Sequence, residues 1–274
     1  MARITDIMRT PGLQRVTLAR NQPALPVRWL RVLSFVALAA GWEWLAYRLH
    51  SLLLPSFTAT AAALARLVTT RALWQAVWIS NHALVLGFSL ACLVGVPLGL
   101  LLGRWRAIEP YVDPYLSIVL VTPRSTLIPI VIMATGLGLT SRLLVVFSYA
   151  VVVITVNVRA GMRTILPSWV EMAHSFGASE WQLWRRILLP GAFPAVLTGL
   201  RMGLTRAVSG MVSVELLLMA VGLGRLVLYY RGTFDSASLY AVSFIIILEA
   251  LLLSEGAGWL ERRFAPWRPE AASS

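Results

Sequence analysis

The chain has 274 residues, 58% of them hydrophobic and only 13% charged, with a mean hydropathy of +0.75. That leaves too little polar surface to clothe a water-soluble globule, so its main solvent is lipid. Its formal charge of +12 rests on 24 basic residues, all of them arginine, and they lie between apolar runs and not on one soluble face, which excludes a nucleic-acid-binding class. Cys92 stands alone inside an apolar run and His50, His82 and His174 have no ligand-like spacing, so neither a disulfide framework nor a metal site is expected.

Residues 1–31 are polar and arginine-rich and read as a cytoplasmic segment. Ala37-Leu38-Ala39 has the form of a signal cleavage site, but the apolar character continues past it through Trp42 to Ala46, which favours a retained first span over 32–47. Leu54-Pro55-Ser56 then opens a stretch, 58–78, that reads as one helix lying at the interface, with Trp74 and Trp78 at headgroup level. Further apolar segments follow at 83–102, 116–135, 143–158, 192–221 and 239–259. Each is expected to be a helix, because an isolated strand cannot satisfy its backbone in lipid. A bilayer core of about 30 Å needs roughly 20 apolar residues per helix, which fits six spans into this length. With the N-terminus inside, 15 arginines fall on the cytoplasmic side and 6 outside, a bias that places both termini in the cytoplasm. The expected organisation is therefore a permease-like transmembrane domain over 32–260 and a cytoplasmic tail over 261–274, in an all-α membrane protein.

The longest cytoplasmic connection, 159–190, carries two helix-start signals. Ser168-Trp169-Val170-Glu171 has the form of a capping box just after Pro167, and Gly177 supplies a left-handed position to end the short helix that follows. Ser179-Glu180-Trp181-Gln182 repeats the capping form, with Ala178 in the turn before it, and Pro190 is expected to close the second helix after Arg185 and Arg186. Trp181, Trp184 and Leu188 fall at i, i+3 and i+7 and give that second helix an apolar stripe, fit either to lie on the membrane or to meet a partner.

Glu171-Met172-Ala173, then Gly177, then Ile187-Leu188-Leu189-Pro190 resembles the cytoplasmic loop signature of permease subunits of ATP-binding-cassette (ABC) importers. The spacing agrees throughout, and Met172 in place of an alanine is the one departure. The resemblance covers roughly 42–267 and is closest to the branch importing nitrate, sulfonates or taurine, to which Trp42-Glu43, Leu54-Pro55-Ser56, Gly95-Val96-Pro97-Leu98-Gly99, Gly199-Leu200-Arg201 and Leu260-Glu261-Arg262-Arg263 are similar. It implies a type I importer permease fold in a bacterial cytoplasmic (inner) membrane. It also implies a loop helix that docks in the ATPase subunit, with Glu171, Ala173, Gly177, Ala178, Trp181, Trp184, Ile187, Leu189 and Pro190 as the coupling residues. Two copies of the ATPase, a second permease chain, expected to be identical, and an external substrate-binding protein are the implied partners. The chain has no lysine, and a phosphate-binding loop needs one to reach the β- and γ-phosphates, so ATP and Mg are expected on the ATPase partner and no cofactor on this chain.

Ionised groups at mid-depth in lipid cost about 2.5 to 3.5 kcal/mol or more, so those inside spans should face protein or a watery path. Arg124 lies in the third predicted span, Arg201, Arg206 and Glu215 in the fifth, Glu249 and Glu255 in the sixth. Arg206, Ser209 and Ser213 make one polar stripe, read either as helix–helix hydrogen bonding or as part of a translocation path together with Arg124 and Glu215. Such a path would suit a small oxyanion if Glu215 were paired with an arginine of a neighbouring helix. No catalytic set of residues converges anywhere, which disfavours a membrane enzyme. A stand-alone ion-coupled transporter is the rival transport class, and it has no need of a docking loop.

Overall fold

The computed structural model describes residues 27–217 and 221–264, so the rest of the expected N-terminal segment and most of the expected tail lie outside the described residues. Within them the chain is helical: α1 (Val27–Leu49), α2 (Phe57–Val68), α3 (Arg71–Arg104), α4 (Glu109–Val121), α5 (Leu127–Thr135), α6 (Leu139–Arg163), α7 (Pro167–Ser175), α8 (Glu180–Leu183), α9 (Leu189–Leu217), α10 (Gly222–Gly232) and α11 (Ser236–Phe264). Five stretches are long and apolar enough to span a membrane, and α4 with α5 makes a sixth if the pair, bent by 81°, counts as one span.

The centre is a layer of three helices, α3 on α6 on α9. Along α3 a small residue recurs every fourth position, at Ala83, Gly87, Ala91, Gly95, Gly99 and Gly103, and all six are buried. This ridge lets the α6 backbone come close, as small residues do where lipid removes the hydrophobic drive between helices. A Cβ at Gly99 would lie 2.7 Å from the Thr155 carbonyl oxygen and at Gly87 2.8 Å from the Val146 side chain, so neither position has room for one. A second cluster closes one end of the bundle, where Leu67 of α2, Leu73 and Ala76 of α3, Leu223 and Leu226 of α10 and Val242 of α11 pack together. At the opposite end Met162, Ile165, Ala173, Leu183, Leu188 and Ala192 seat α7 and α8 beneath α6 and α9.

Several boundaries differ from expectation for identifiable reasons. The predicted interfacial helix over 58–78 is two elements: Ser56 caps α2 by accepting from the Ala59 N–H at 3.1 Å, and Thr70 caps a new start by accepting from the Leu73 N–H at 3.4 Å. From there α3 runs for 34 residues, about 51 Å at 1.5 Å per residue, well beyond a bilayer core. The third predicted span is broken because Pro123 drives the residue before it out of helix, and Thr122 is extended at ψ 125°. The fifth is described as helix as far as Leu217, and Val221, the last residue of the predicted segment, is the N-terminal cap of α10, a helix to which the sequence reading assigned no element.

Candidate coupling elements and translocation face

The loop after α6 folds as two short helices, with corrections to three expectations. The first starts on Pro167 with Leu166 as its cap, so Ser168 is not a capping residue; a proline at the first helical position gives up an N–H that has no helical partner there. It ends as expected. Gly177 has φ +73°, its N–H donates to the His174 carbonyl at 2.9 Å and the Ala178 N–H to the Ala173 carbonyl at 3.0 Å, the paired bonds of a Schellman motif. The second capping box is present: Ser179 accepts from the Gln182 N–H at 3.4 Å, and Gln182 accepts from the Ser179 N–H at 2.9 Å. Pro190, however, does not end the helix. A wider π-type turn over Trp184–Leu188 shifts the Leu189 N–H onto the Trp184 carbonyl, which relieves the proline's missing bond, and α8 runs on through it into α9.

The third correction concerns the apolar stripe. Leu188 is buried and Trp184 and Ile187 pack against the same cluster as Ala173 and Ala178, so these five build the seat of the loop, while Trp181 points outward at 71% exposure. The outward apolar face belongs to α7, where Trp169, Met172 and Phe176 at i, i+3 and i+7 are all exposed, Phe176 at 86%. None of the three was among the expected coupling residues, although their helical spacing was legible. Met172, the departure from the family pattern, stands in the open. Leu189 and Pro190 are exposed, as is Glu171, which borders a cavity of about 350 Å³ with Arg104, Arg163 and Pro167. Arg104 to Glu180 at 3.5 Å, Arg163 to Glu109 at 2.6 Å and the Arg159–Asp113 pair fasten this end of the bundle.

Arg124 sits in the break between α4 and α5. Its Nη1 donates to the Tyr149 carbonyl at 2.6 Å and its guanidinium lies 5.7 Å from that ring's centroid. Arg206, within electrostatic range of it, is exposed on α9 and has no ion pair among the described residues. Ser209 and Ser213 continue the Arg206 face, each hydroxyl donating back to the carbonyl four residues earlier, at 3.1 and 2.7 Å, so their hydrogen bonds run within α9 and not to another helix.

Glu215 is on the other face of α9, 1% exposed, and does not join that stripe. The Ser80 hydroxyl lies 2.8 Å from both its oxygens, the Gly224 N–H donates to it at 3.1 Å, and Arg142 of α6 stands 3.8 Å away. Ser80 also accepts from the Leu223 N–H at 3.0 Å. A carboxylate and a hydroxyl thus cap the N-terminus of α10, where the helix dipole favours negative charge. Gly222, φ +58°, passes so close that a Cβ there would meet Ser80 Oγ at 2.3 Å. The arginine partner expected for Glu215 is therefore present, on α6. Arg201 pairs with Glu261 at 3.5 Å, and Asn81 donates to Glu249.

The model of binding-protein-dependent transport system inner membrane components matches residues 95–267. The chain is 31% identical over 199 residues, 72% of each chain, to the taurine transport system permease protein TauC of Escherichia coli. It is 32% identical over 215 residues, 78% of this chain and 80% of the relative, to the riboflavin transport system permease protein RibX of Chloroflexus aurantiacus. In fold it is similar to a chain of the inward-facing MetNI methionine ABC transporter, at TM-score 0.58 and 20% identity over 70% of this chain and 94% of that one. The chain belongs to the binding-protein-dependent transport system inner membrane component family: it is a multi-pass inner-membrane permease subunit of an ABC importer, not itself catalytic, that works with an ATPase and a substrate-binding protein.

Proposed function

We propose that two copies of this chain, with both termini in the cytoplasm and two ATPase subunits that hold ATP and Mg, import a small oxyanion such as taurine, another sulfonate or nitrate. The coupling surface is the α7–α8 element. Ala173, Ala178, Trp184 and Ile187 seat it, Gly177 sets the angle between its helices, and Glu171, Trp181, Leu189 and Pro190 lie on its exposed surface beside Trp169, Met172 and Phe176. The observation that carries the cargo reading is the pair Arg124 and Arg206, two guanidinium groups in electrostatic range of each other with no carboxylate partner among the described residues. Glu215, whose charge would oppose an anion, is bound on the far face of α9. A positive wall lowers the barrier that a low-dielectric passage raises against an anion, and Ser209 and Ser213 offer weak polar contacts that let it leave. Likeness to the taurine permease supports this reading.

The test uses the complete transporter in proteoliposomes, with taurine, nitrate and riboflavin offered in turn. ATP-dependent uptake of an oxyanion is expected. Arg206→Gln should lower it about tenfold, the scale of one lost charge-assisted contact, while leaving assembly intact. Import of riboflavin alone, or normal oxyanion import by the assembled Arg206→Gln transporter, contradicts the cargo reading.

A further inference from the structure

Arg124 and Arg206 carry like charges within range of each other, so Arg124 stays where it is only if other groups hold it there. One residue of α6 supplies both holds. Tyr149 accepts from the Arg124 Nη1 at its carbonyl, 2.6 Å away, and its ring centroid lies 5.7 Å from the guanidinium carbon, inside the roughly 6 Å reach of a cation over an aromatic face. The ring is itself fixed. It packs with Ile128 of α5, Val145 of α6 and Val214 of α9, and it lies against Gly210 of α9, where a Cβ would stand 2.8 Å from the ring's Cγ. Gly210 is four residues from Arg206, one turn along α9, so the ring that carries Arg124 is seated beside the face that carries Arg206. The contact between α6 and α9 is closed independently of this ring, because toward the coupling end Gly203 meets Ile154 and Gly161 meets Ala195, each too closely to admit a Cβ. The phenol oxygen of Tyr149 makes no hydrogen bond among the described residues.

We infer that Tyr149 is the positioning residue of the anion path, a role that rests on the proposed oxyanion cargo: its ring and carbonyl hold Arg124 against the repulsion of Arg206 and so preset the spacing of the two guanidinium groups that the oxyanion meets. An arginine on a free side chain would swing away from a like charge and would have to be reordered, at a cost in side-chain entropy, whenever an anion arrived. Held on a fixed ring, it is in place beforehand. Gly210 belongs to the same device, since any larger residue there would displace the ring.

The experiment measures initial rates of ATP-dependent taurine and nitrate uptake by the complete transporter in proteoliposomes, for Tyr149→Leu and Tyr149→Phe, each in the wild-type chain and in a chain carrying Arg124→Gln. Tyr149→Leu should lower uptake about fivefold in the wild-type chain, the scale of a lost cation–π contact, and by less than about twofold in the Arg124→Gln chain, where the ring has no guanidinium left to hold. Tyr149→Phe keeps the ring and should import within about twofold of wild type. If Tyr149→Leu does not assemble, Tyr149→Met, which refills the space with a flexible apolar side chain, carries the same comparison. An equal loss in the two backgrounds, or no loss in either, overturns the inference, because the ring would then serve packing alone. So does a loss with phenylalanine as large as that with leucine, which would assign the effect to the phenol oxygen. Absence of oxyanion import by the wild-type chain, or normal import by Arg206→Gln, is read with Tyr149 in place; it strikes the cargo reading itself, and this inference with it.

Discussion

The two ends of the bundle solve the same problem, the unpaired backbone groups of a helix terminus, by opposite means. Around Glu215 the polar groups are buried and partnered: one carboxylate receives Ser80, the Gly224 N–H and Arg142, and ties α3, α6, α9 and α10 together. Around Gly177 the backbone closes on itself through a Schellman motif, Arg104 pairs with Glu180 near the surface, and Trp169, Met172 and Phe176 are left uncovered. The first arrangement holds the chain together. The second leaves apolar area, which a soluble partner can cover. Arg206 and Arg124 extend the contrast to charge, since neither has a carboxylate partner among the described residues.

The comparison breaks most severely at Glu215. Removing a partner of a buried pair costs about 3 to 5 kcal/mol, so Glu215→Ala should leave little folded, assembled transporter, while Glu215→Gln, which keeps the shape and some hydrogen bonds, should retain an intermediate thermal stability. Detergent-solubilised unfolding midpoints check both, and an unchanged midpoint for Glu215→Ala would remove the buried cap from the account. Gly99→Leu comes next. Overpacking costs about 1 to 3 kcal/mol, and its side chain would have to displace the α6 backbone near Thr155, so a fall in the same midpoint is expected with no specific loss of ATPase docking.

Smaller effects sharpen the other end. Trp169→Ala with Phe176→Ala should leave the midpoint unchanged, because neither side chain is buried, and should weaken co-purification of the ATPase about tenfold or more, as loss of an aromatic anchor does. Unaltered co-purification would show that the exposed face of α7 is not where the partner sits. The smallest effect belongs to Arg262→Ala, whose 4.0 Å contact with Glu255 lies between exposed groups and should alter the unfolding free energy by less than about 1 kcal/mol, leaving the midpoint nearly unchanged.

Much of this was legible beforehand, and the failures share a cause. Gly177 was readable because a left-handed turn has a narrow chemistry, and Ser179 with Gln182 because a capping box is local. Apolar runs located the long helices, but composition does not register where a helix ends in lipid, so the breaks at Thr69–Thr70 and at Pro123 were smoothed over. Pro190 misled because its usual effect is cancelled by the π-type turn, which depends on how α8 packs beneath α6. The stripe on α8 and that on α7 have the same periodicity, and only the seating of Leu188 and Ala173 decides which faces outward. Likewise Glu215 and Ser213 are two residues apart, and nothing local states that one is buried and the other lies along an exposed face.

The central claim is that the turn at Gly177 sets the geometry through which the ATPase drives the bundle. Its most direct test is uptake and ATP hydrolysis measured in parallel on the assembled transporter carrying Gly177→Val or Gly177→Asn. No neighbouring atom crowds this site, so only the backbone is strained: φ +73° is costly for valine and accessible to asparagine. Binding-protein-stimulated import should be lost in the valine variant and largely kept in the asparagine variant. Import at the wild-type rate with valine in place would contradict the assignment of this element as the coupling point.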